Sequence, residues 1–342
     1  MDQEDYNYTL PNENLALEPA IPRDSSRLLI YDTRQDRITL DTFSNLDKYL
    51  PKNSFLVLND TKVLPARVVM KKQTGGKVVT LFLVNEIGFD TVPVIVDRKI
   101  NVGEKIYFEN MEALDVVGQR GNVFSLKYFC SKESLFALLQ RYGTMPIPPY
   151  LKKTRLGRSE LLEKYQTIFA EEEGSAAAPT ASLHFTKKVF EKLDQKGIRR
   201  SFVTLHVGLG TFAPLTDENL KSKTLHEEYY FIPKNTMEAI NKLKSEKRKL
   251  VSVGTTVTRT LESYAKSAKN AGKTDLFIFP PFEFKMVDHL ITNFHLPKSS
   301  LMMLVEAFLQ HKKAKKRLVD LYNIAIDNRY RFYSFGDAML IK

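Results

Sequence analysis

The chain has 342 residues, 43% hydrophobic and 27% charged, which is enough apolar material for a full core and excludes a disordered protein. Its 51 Lys and Arg against 40 Asp and Glu leave a net charge of +11, which favours an anionic partner, with nucleic acid first. Cys130 stands alone, so an internal disulfide, a cysteine zinc site and a cysteine-held iron–sulfur cluster are excluded.

The opening "MDQEDYNYTLPNENLALEP" is acidic and polar and does not read as a signal peptide. Two strands follow, "SRLLIYDT" and "SFLVLNDT". Residues 61–130 read as β throughout: short apolar runs such as "GGKVVTLFLVNEI", "DTVPVIVD" and "NVFSLKYF", separated by glycine turns. With no helix between them, they predict a small antiparallel barrel or sandwich. From Ser131 the pattern is helical, until the proline-rich "GTMPIPPY" (143–150) stops it. After residue 180, strands alternate with helices. Thr186 caps a helix with Val189, Phe190 and Leu193 on its apolar face, and Gly197 ends it. "RSFVTLHV", "LVSVG" and "DLFIFP" read as strands. "PKNTMEAINKLKSEKRK", "TVTRTLESYAKSA", "SLMMLVEAFLQ" and "AKKRLVDLYNIAIDN" read as helices. The expected architecture is an α/β (mixed α+β) main domain from residues 1–60 and 145–342, with an inserted antiparallel β-barrel at 61–144. No apolar run approaches a membrane span, so a cytoplasmic location is expected.

Basic runs stand at 150–158, 244–249 and 311–317. They are expected to face phosphates, since none is interleaved with aromatic residues for base stacking. All six histidines fall between positions 184 and 311, and five sit at strand ends, where α/β proteins build sites. For any one of them a structural role is the better account, while the concentration of the set in these loops favours a site. His289 and His295 are six apart, a poor metal spacing, so no metal site is expected. Gly208, Gly210 and Ala213 mimic a dinucleotide loop after a strand. Pro214 delays the helix to the capping signal at Thr216, which argues against that cofactor while leaving room for close backbone approach. Gly254, Thr255 and Thr256 form a strand-to-helix turn fit for an anion or carboxylate, or for an ordinary cap. "EGSAAAPTASLHFT" (173–186) crowds small side chains against His184. Either a ligand or tight packing needs that room.

Taken together, these motifs resemble the S-adenosylmethionine:tRNA ribosyltransferase-isomerases of queuosine biosynthesis. The resemblance runs through "IPRDSSRLLIYD", "LVLNDTKVLPAR", "MPIPPYL", "EKYQTIFA", "GSAAAPTASLHFT", "HVGLGTFAPL", "HEEYYFIP", "VGTTVTRTLES", "DHLITNFHLPKSSLMMLVEAF" and "YRFYSFGDAMLI". Ser182, Ile147 and Pro281 depart from the family's usual residues, and the insert diverges most.

The resemblance implies an enzyme that moves the ribosyl part of S-adenosylmethionine onto 7-aminomethyl-7-deazaguanine at the wobble position of tRNA. Epoxyqueuosine is formed; adenine and methionine leave. S-adenosylmethionine is then a co-substrate, with no permanent cofactor or metal, and the chain is expected to act as a monomer. His184, His206 and His295 are the candidate bases or acids, with Asp288 as an orienting carboxylate. Ala178, Pro179, Thr180, Gly208, Gly210 and Thr211 are candidate binding positions. Glu228, Thr255, Thr256, Arg259, Asn293 and Asp337 join them, with Arg259 suited to the methionine carboxylate. Two other classes compete. A methyltransferase acting on tRNA shares cofactor and partner, and a non-catalytic RNA-binding module shares the charge and the barrel.

Overall fold

Uninterrupted apolar runs build the middle of this protein. The computed structural model describes residues 2–208 and 215–342. The chain begins with β1 (Arg27–Asp32), β2 (Arg37–Thr42), the short helix α1 (Leu46–Tyr49) and β3 (Ser54–Asn59). A short β4 (Thr61–Val63) leads into β5 (Arg67–Lys72), β6 (Lys77–Phe82), β7 (Thr91–Val96), β8 (Lys105–Tyr107), β9 (Ala113–Arg120) and β10 (Val123–Lys127). Helices α2 (Lys132–Tyr142) and α3 (Arg158–Lys164) and strand β11 (Glu172–Ser175) bring the chain back. Then come α4 (Lys187–Gln195), β12 (Arg199–Leu205), α5 (Asp217–Ser222), β13 (Thr224–Phe231), α6 (Lys234–Ser245), β14 (Lys249–Val253) and α7 (Thr255–Ser267). The last elements are β15 (Ala271–Leu276), β16 (His289–Asn293), α8 (Ser300–His311), α9 (Leu318–Asp327) and β17 (Ala338–Ile341).

Among the described residues, nine strands make one sheet in the order β15-β13-β12-β3-β14-β16-β17-β1-β2. The four central strands, β12, β3, β14 and β16, are mutually parallel. Every residue of β3, "SFLVLN", is buried, as expected of a parallel strand covered on both faces. Its side chains alternate between two cores. Phe55 and Val57 join the core with α6, α7, α8 and α9, whereas Leu56 and Leu58 join Val189, Phe190 and Leu193 of α4. Each such burial contributes about 1.5–3 kcal/mol. Strands β5 to β10 close an antiparallel barrel around a separate core that runs from Leu64 to Leu139. The fold class is therefore an α/β body carrying a small β-barrel. No described helix is long and apolar enough to cross a membrane.

Thr186 does cap α4: its Oγ1 accepts from Val189 N at 3.3 Å, and Gly197 beyond the helix has φ +75°. Thr216 likewise caps α5, accepting from Asn219 N at 3.2 Å. The run "DLFIFP" behaves differently. The strand there is β15, ending at Leu276, while Phe277 and Ile278 turn into the core. Apolar content marked burial rather than sheet pairing. The Gly210 and Thr211 positions lie outside the described residues.

Candidate functional site

Parallel strands expose their last amides and side chains at one edge, where open α/β sheets bind ligands. Here that edge carries Asn59 at the end of β3, His206 after β12, Gly254 after β14 and Asn293 at the end of β16. A cavity of about 110 Å³ opens beside it. Residues 177–181 line one side, and Thr255 and Thr256 begin helix α7 on another. Asn293 and His295 also line the cavity. Tyr150, Tyr165, Tyr333 and Ser334 complete the wall.

The small side chains have two separate uses. Gly174 has φ +146°, and a Cβ there would stand 3.0 Å from Nε2 of His206, so glycine alone allows the imidazole to lie over the backbone. Ala177, Ala178 and Ala181 face the cavity, where larger residues would fill it. Gly254, with φ +95°, is the N-cap of α7 and supplies no side-chain cap, which leaves the first amides of this 13-residue helix facing the cavity wall.

Asn293 is held from three sides. Its Oδ1 accepts from Thr180 Oγ1 at 2.9 Å, and its Nδ2 donates to the Asp337 carbonyl at 3.4 Å. A carbonyl can only accept, so the amide orientation is fixed. The same Nδ2 lies 3.3 Å from Nε2 of His184. That nitrogen must therefore accept, and Nδ1, 2.8 Å from Ser26 Oγ, carries the proton. Burial first, then the charges of Arg331 and Arg23, push the His184 pKa down to about 3. The ring is neutral and sits behind Asn293 rather than on the cavity wall.

His295 is the histidine on the wall. Its Nε2 lies 3.3 Å from Thr292 Oγ1 and its Nδ1 3.4 Å from the Tyr322 hydroxyl. Burial pushes its pKa down to about 3. His206 stands to one side, with Nδ1 2.8 Å from Thr61 Oγ1, and is pushed down to about 4 by burial and then by Lys132.

The remaining sequence candidates separate into groups. Ala178, Pro179, Thr180, Thr255, Thr256, Asn293 and His295 share the cavity. Gly208, Glu228 and Arg259 form a neighbouring buried cluster: Glu228 accepts from the Gly208 amide at 2.9 Å and pairs with Arg259. Arg259 also donates to the Leu276 carbonyl at 3.1 Å, so its guanidinium is engaged inside the protein. Asp337 accepts from the Arg27 and Arg331 amides at 2.9 and 2.7 Å, tying the segment that supports Asn293. Asp288 lies just before β16 and pairs with Lys249 at 2.9 Å. It is five residues from Asn293 along an extended strand, roughly 16 Å at about 3.3 Å per residue, and so at the opposite sheet edge. The basic runs at 244–249 and 311–317 meet at that far edge, where Lys312 Nζ donates to the Asp288 carbonyl at 3.1 Å. The run at 150–158 borders the cavity through Tyr150. Among the described residues, no group of three or more His, Cys, Asp or Glu is arranged to hold a metal ion.

Sequence reasoning missed Tyr165. It follows a polar helix as the C-cap of α3, and nothing local marks it. Its hydroxyl is buried at the cavity without a hydrogen-bond partner; Ser334 and the Ala178 amide are near but close no bond. Burial raises its pKa, so the group is a neutral donor. An unpaired buried hydroxyl costs about 1–3 kcal/mol, a cost a bound ligand would remove. Tyr165→Phe is expected to raise the thermal stability of the unliganded protein, because it removes a buried unpaired hydroxyl, and to raise KM for the ligand that fills the cavity about tenfold or more. Equal KM values for the two proteins would make the hydroxyl irrelevant to binding.

A cavity at the carboxyl edge of a parallel sheet, walled by alanines, tyrosines and a helix start, is where open α/β folds bind ligands. The family profile described as queuosine biosynthesis protein matches residues 3–341. A protein of Sulfurihydrogenibium sp. (strain YO3AOP1), named S-adenosylmethionine:tRNA ribosyltransferase-isomerase, is 42% identical over 343 residues, covering 100% of both chains. A Staphylococcus epidermidis protein (strain ATCC 12228 / FDA PCI 1200) of the same name is 42% identical over 351 residues, again with 100% coverage of each. The crystal structure of S-adenosylmethionine tRNA ribosyltransferase from Thermotoga maritima matches with a TM-score of 0.56 and 33% identity, covering 99% of this chain and 100% of that one. The chain belongs to the queuosine biosynthesis protein family.

Proposed function

We propose that this protein transfers and isomerises the ribosyl part of S-adenosylmethionine onto 7-aminomethyl-7-deazaguanine at the wobble position of tRNA. Adenine and methionine leave, and epoxyqueuosine remains. The observation that carries this reading is the convergence of distant motifs, 177–181, 254–256 and 293–295, on one cavity at the carboxyl edge of the sheet. The body from 1–60 and 145–342 would do the chemistry as a monomer, with 61–144 as the inserted unit and no resident cofactor or metal.

In this reading the first amides of α7, at Thr255 and Thr256, receive the carboxylate of the methionine part. Arg259, already paired with Glu228, stiffens the cluster under the Gly208 turn instead. The tyrosine wall takes a flat purine, and the Tyr165 hydroxyl donates to it. His295, neutral and on the wall, offers a lone pair for the proton transfers. His184 is a positioning residue that orients Asn293.

The test is product identity. Purified protein is incubated with S-adenosylmethionine and tRNA carrying 7-aminomethyl-7-deazaguanine, with a chelator present. Equal amounts of free adenine and methionine are expected, together with a nucleoside heavier by a ribose-derived unit. Guanine at the wobble position should give nothing, because it lacks the nucleophilic aminomethyl group. S-adenosylhomocysteine as the main product would replace this reading with methyl transfer. The absence of any small-molecule product would leave an RNA-binding module.

A further inference from the structure

The barrel carries an apolar rim that its own fold does not explain. Strand pairing sets the geometry. Lys127 of β10 lies opposite Asp115 of β9 and Thr91 of β7, and Arg67 of β5 lies opposite Leu81 of β6. The loops before β7 and β9, the exit from β10 and the entry to β5 therefore share one end of the barrel. Arg67 pairs with Thr144 there, so this is the end that joins the α/β body. At the same end Phe89 is 100% exposed, Phe129 66% and Met111 61%. The Tyr128 hydroxyl donates to the carbonyls of Gly88 and Phe89 at 2.8 and 3.0 Å, which fixes the two phenylalanine loops side by side.

Charge surrounds the rings. Lys105 Nζ and Lys127 Nζ lie 5.9 and 6.0 Å from the Phe129 ring centroid. Asp115 and Asp90 hold these two ammonium groups at 2.7 and 3.1 Å. The rim also reaches the reaction edge of the sheet. Lys132 acts electrostatically on His206, and Asn85 Nδ2 lies 3.1 Å from where a Cβ on Gly208 would stand.

We propose that this rim is a stacking platform for unpaired bases of the tRNA loop, with one base on Phe129 between the two lysines and Phe89 extending the surface. This rests on the tRNA reading above and adds to it the place where the loop is gripped. Exposed aromatic faces flanked by ammonium groups suit nucleobases, which present a π-face whatever their sequence. Because Lys105 and Lys127 are already paired with carboxylates, the contact gains affinity by stacking more than by counterion release. The rim thus differs in kind from a purely basic groove.

Binding of a fluorescently labelled anticodon stem-loop RNA, without S-adenosylmethionine, tests this apart from turnover. Phe129→Ala is expected to raise Kd about five- to a hundredfold, and Phe89→Ala to add to it, with the slope of log Kd against log salt unchanged. Circular dichroism should be unaltered, because both side chains are exposed. Unchanged RNA affinity in the double variant would overturn the platform and leave the reaction reading intact. The same would follow if the protein were a dimer that the double variant splits, with RNA affinity kept; the rim would then join two copies. Failure of the unaltered protein to bind the stem-loop at all would overturn both. RNA binding that depends on Phe129 in a protein without ribosyl transfer would uphold the platform alone.

Discussion

Replacing His184 with asparagine will lower kcat by about a hundredfold while leaving tRNA affinity within about twofold of the parent. The reason is placement. His184 Nε2 accepts from Asn293, and Asn293 lines the cavity. Asparagine is too short to put an acceptor where Nε2 was, so the Asn293 amide loses one of its three anchors. Displacement by about 1 Å near reacting atoms is enough for a loss of that size. Two further readouts separate positioning from proton transfer. His184→Gln, whose amide oxygen reaches the Nε2 position, should recover much of the rate. The pH–rate profile of His184→Asn should keep both of its limbs, since a ring held neutral with a pKa of about 3 contributes no limb near neutrality. Loss of one limb would make His184 a proton carrier. A kcat loss below about threefold would reduce it to packing.

Acid will destabilise the protein before most of its carboxylates titrate. His184 and His289 are 4% and 8% exposed and have folded pKa values pushed down to about 3 and about 4 by burial. Both ring nitrogens of His289 lack a hydrogen-bond partner, and the neighbouring Asp288 charge offsets only part of the cost of charging the ring. Unfolded histidine titrates near 6.5. The unfolded chain therefore binds protons first, and the stability present above pH 6.5 drains away as pH falls towards the folded values. At pH 5.5 each of the two contributes a loss of about 1.4 kcal/mol. Asp60 acts in the opposite sense: burial raises its carboxyl to about 6, so folding gains proton affinity and recovers about 0.8 kcal/mol. For these three groups alone the net loss between pH 7.5 and 5.5 is about 2 kcal/mol, a large share of the 5–15 kcal/mol typical of a domain. His206 and His295 shift the same way and add to it. Urea unfolding at the two pH values will measure the difference, and His289→Leu should shrink it by about 1.4 kcal/mol. Equal stability at both pH values would refute the argument.

The sequence made the layers of the body visible because a parallel strand is apolar on both faces. "SFLVLN" and "LVSVG" needed no further clue. Strands with one wet face were harder to read. β2, "RITLDT", has no buried residue, and β13 is buried at only two positions, so neither shows an apolar run. At the site, the sequence candidates that share the cavity are those on turns and strand ends facing one way: Thr180, Thr255, Asn293 and His295. Asp288 belongs to the same motif as Asn293, yet an extended strand carries it to the far edge. Spacing alone does not reveal that without the strand direction. Arg259 was legible as a cation close to the Gly-Thr turn; its pairing with Glu228, 31 residues away, was not. Tyr165 left no pattern because burial of one hydroxyl is decided by partners far apart in the chain.

The position of β17 bears on the order in which the molecule can take shape. This four-residue strand, Ala338–Ile341, lies inside the sheet, between β16 and β1, rather than at its rim. A nascent chain emerging from the ribosome can close the barrel early, because β5 to β10 are contiguous. The body has no such privilege. Until residue 341 has cleared the exit tunnel, β1 lacks its parallel neighbour and β16, which carries Asn293, has one side bare. The cavity edge is thus among the last parts of the protein to be sealed, and a chain broken off before Ala338 retains the cavity side chains without the strand that sets them in place.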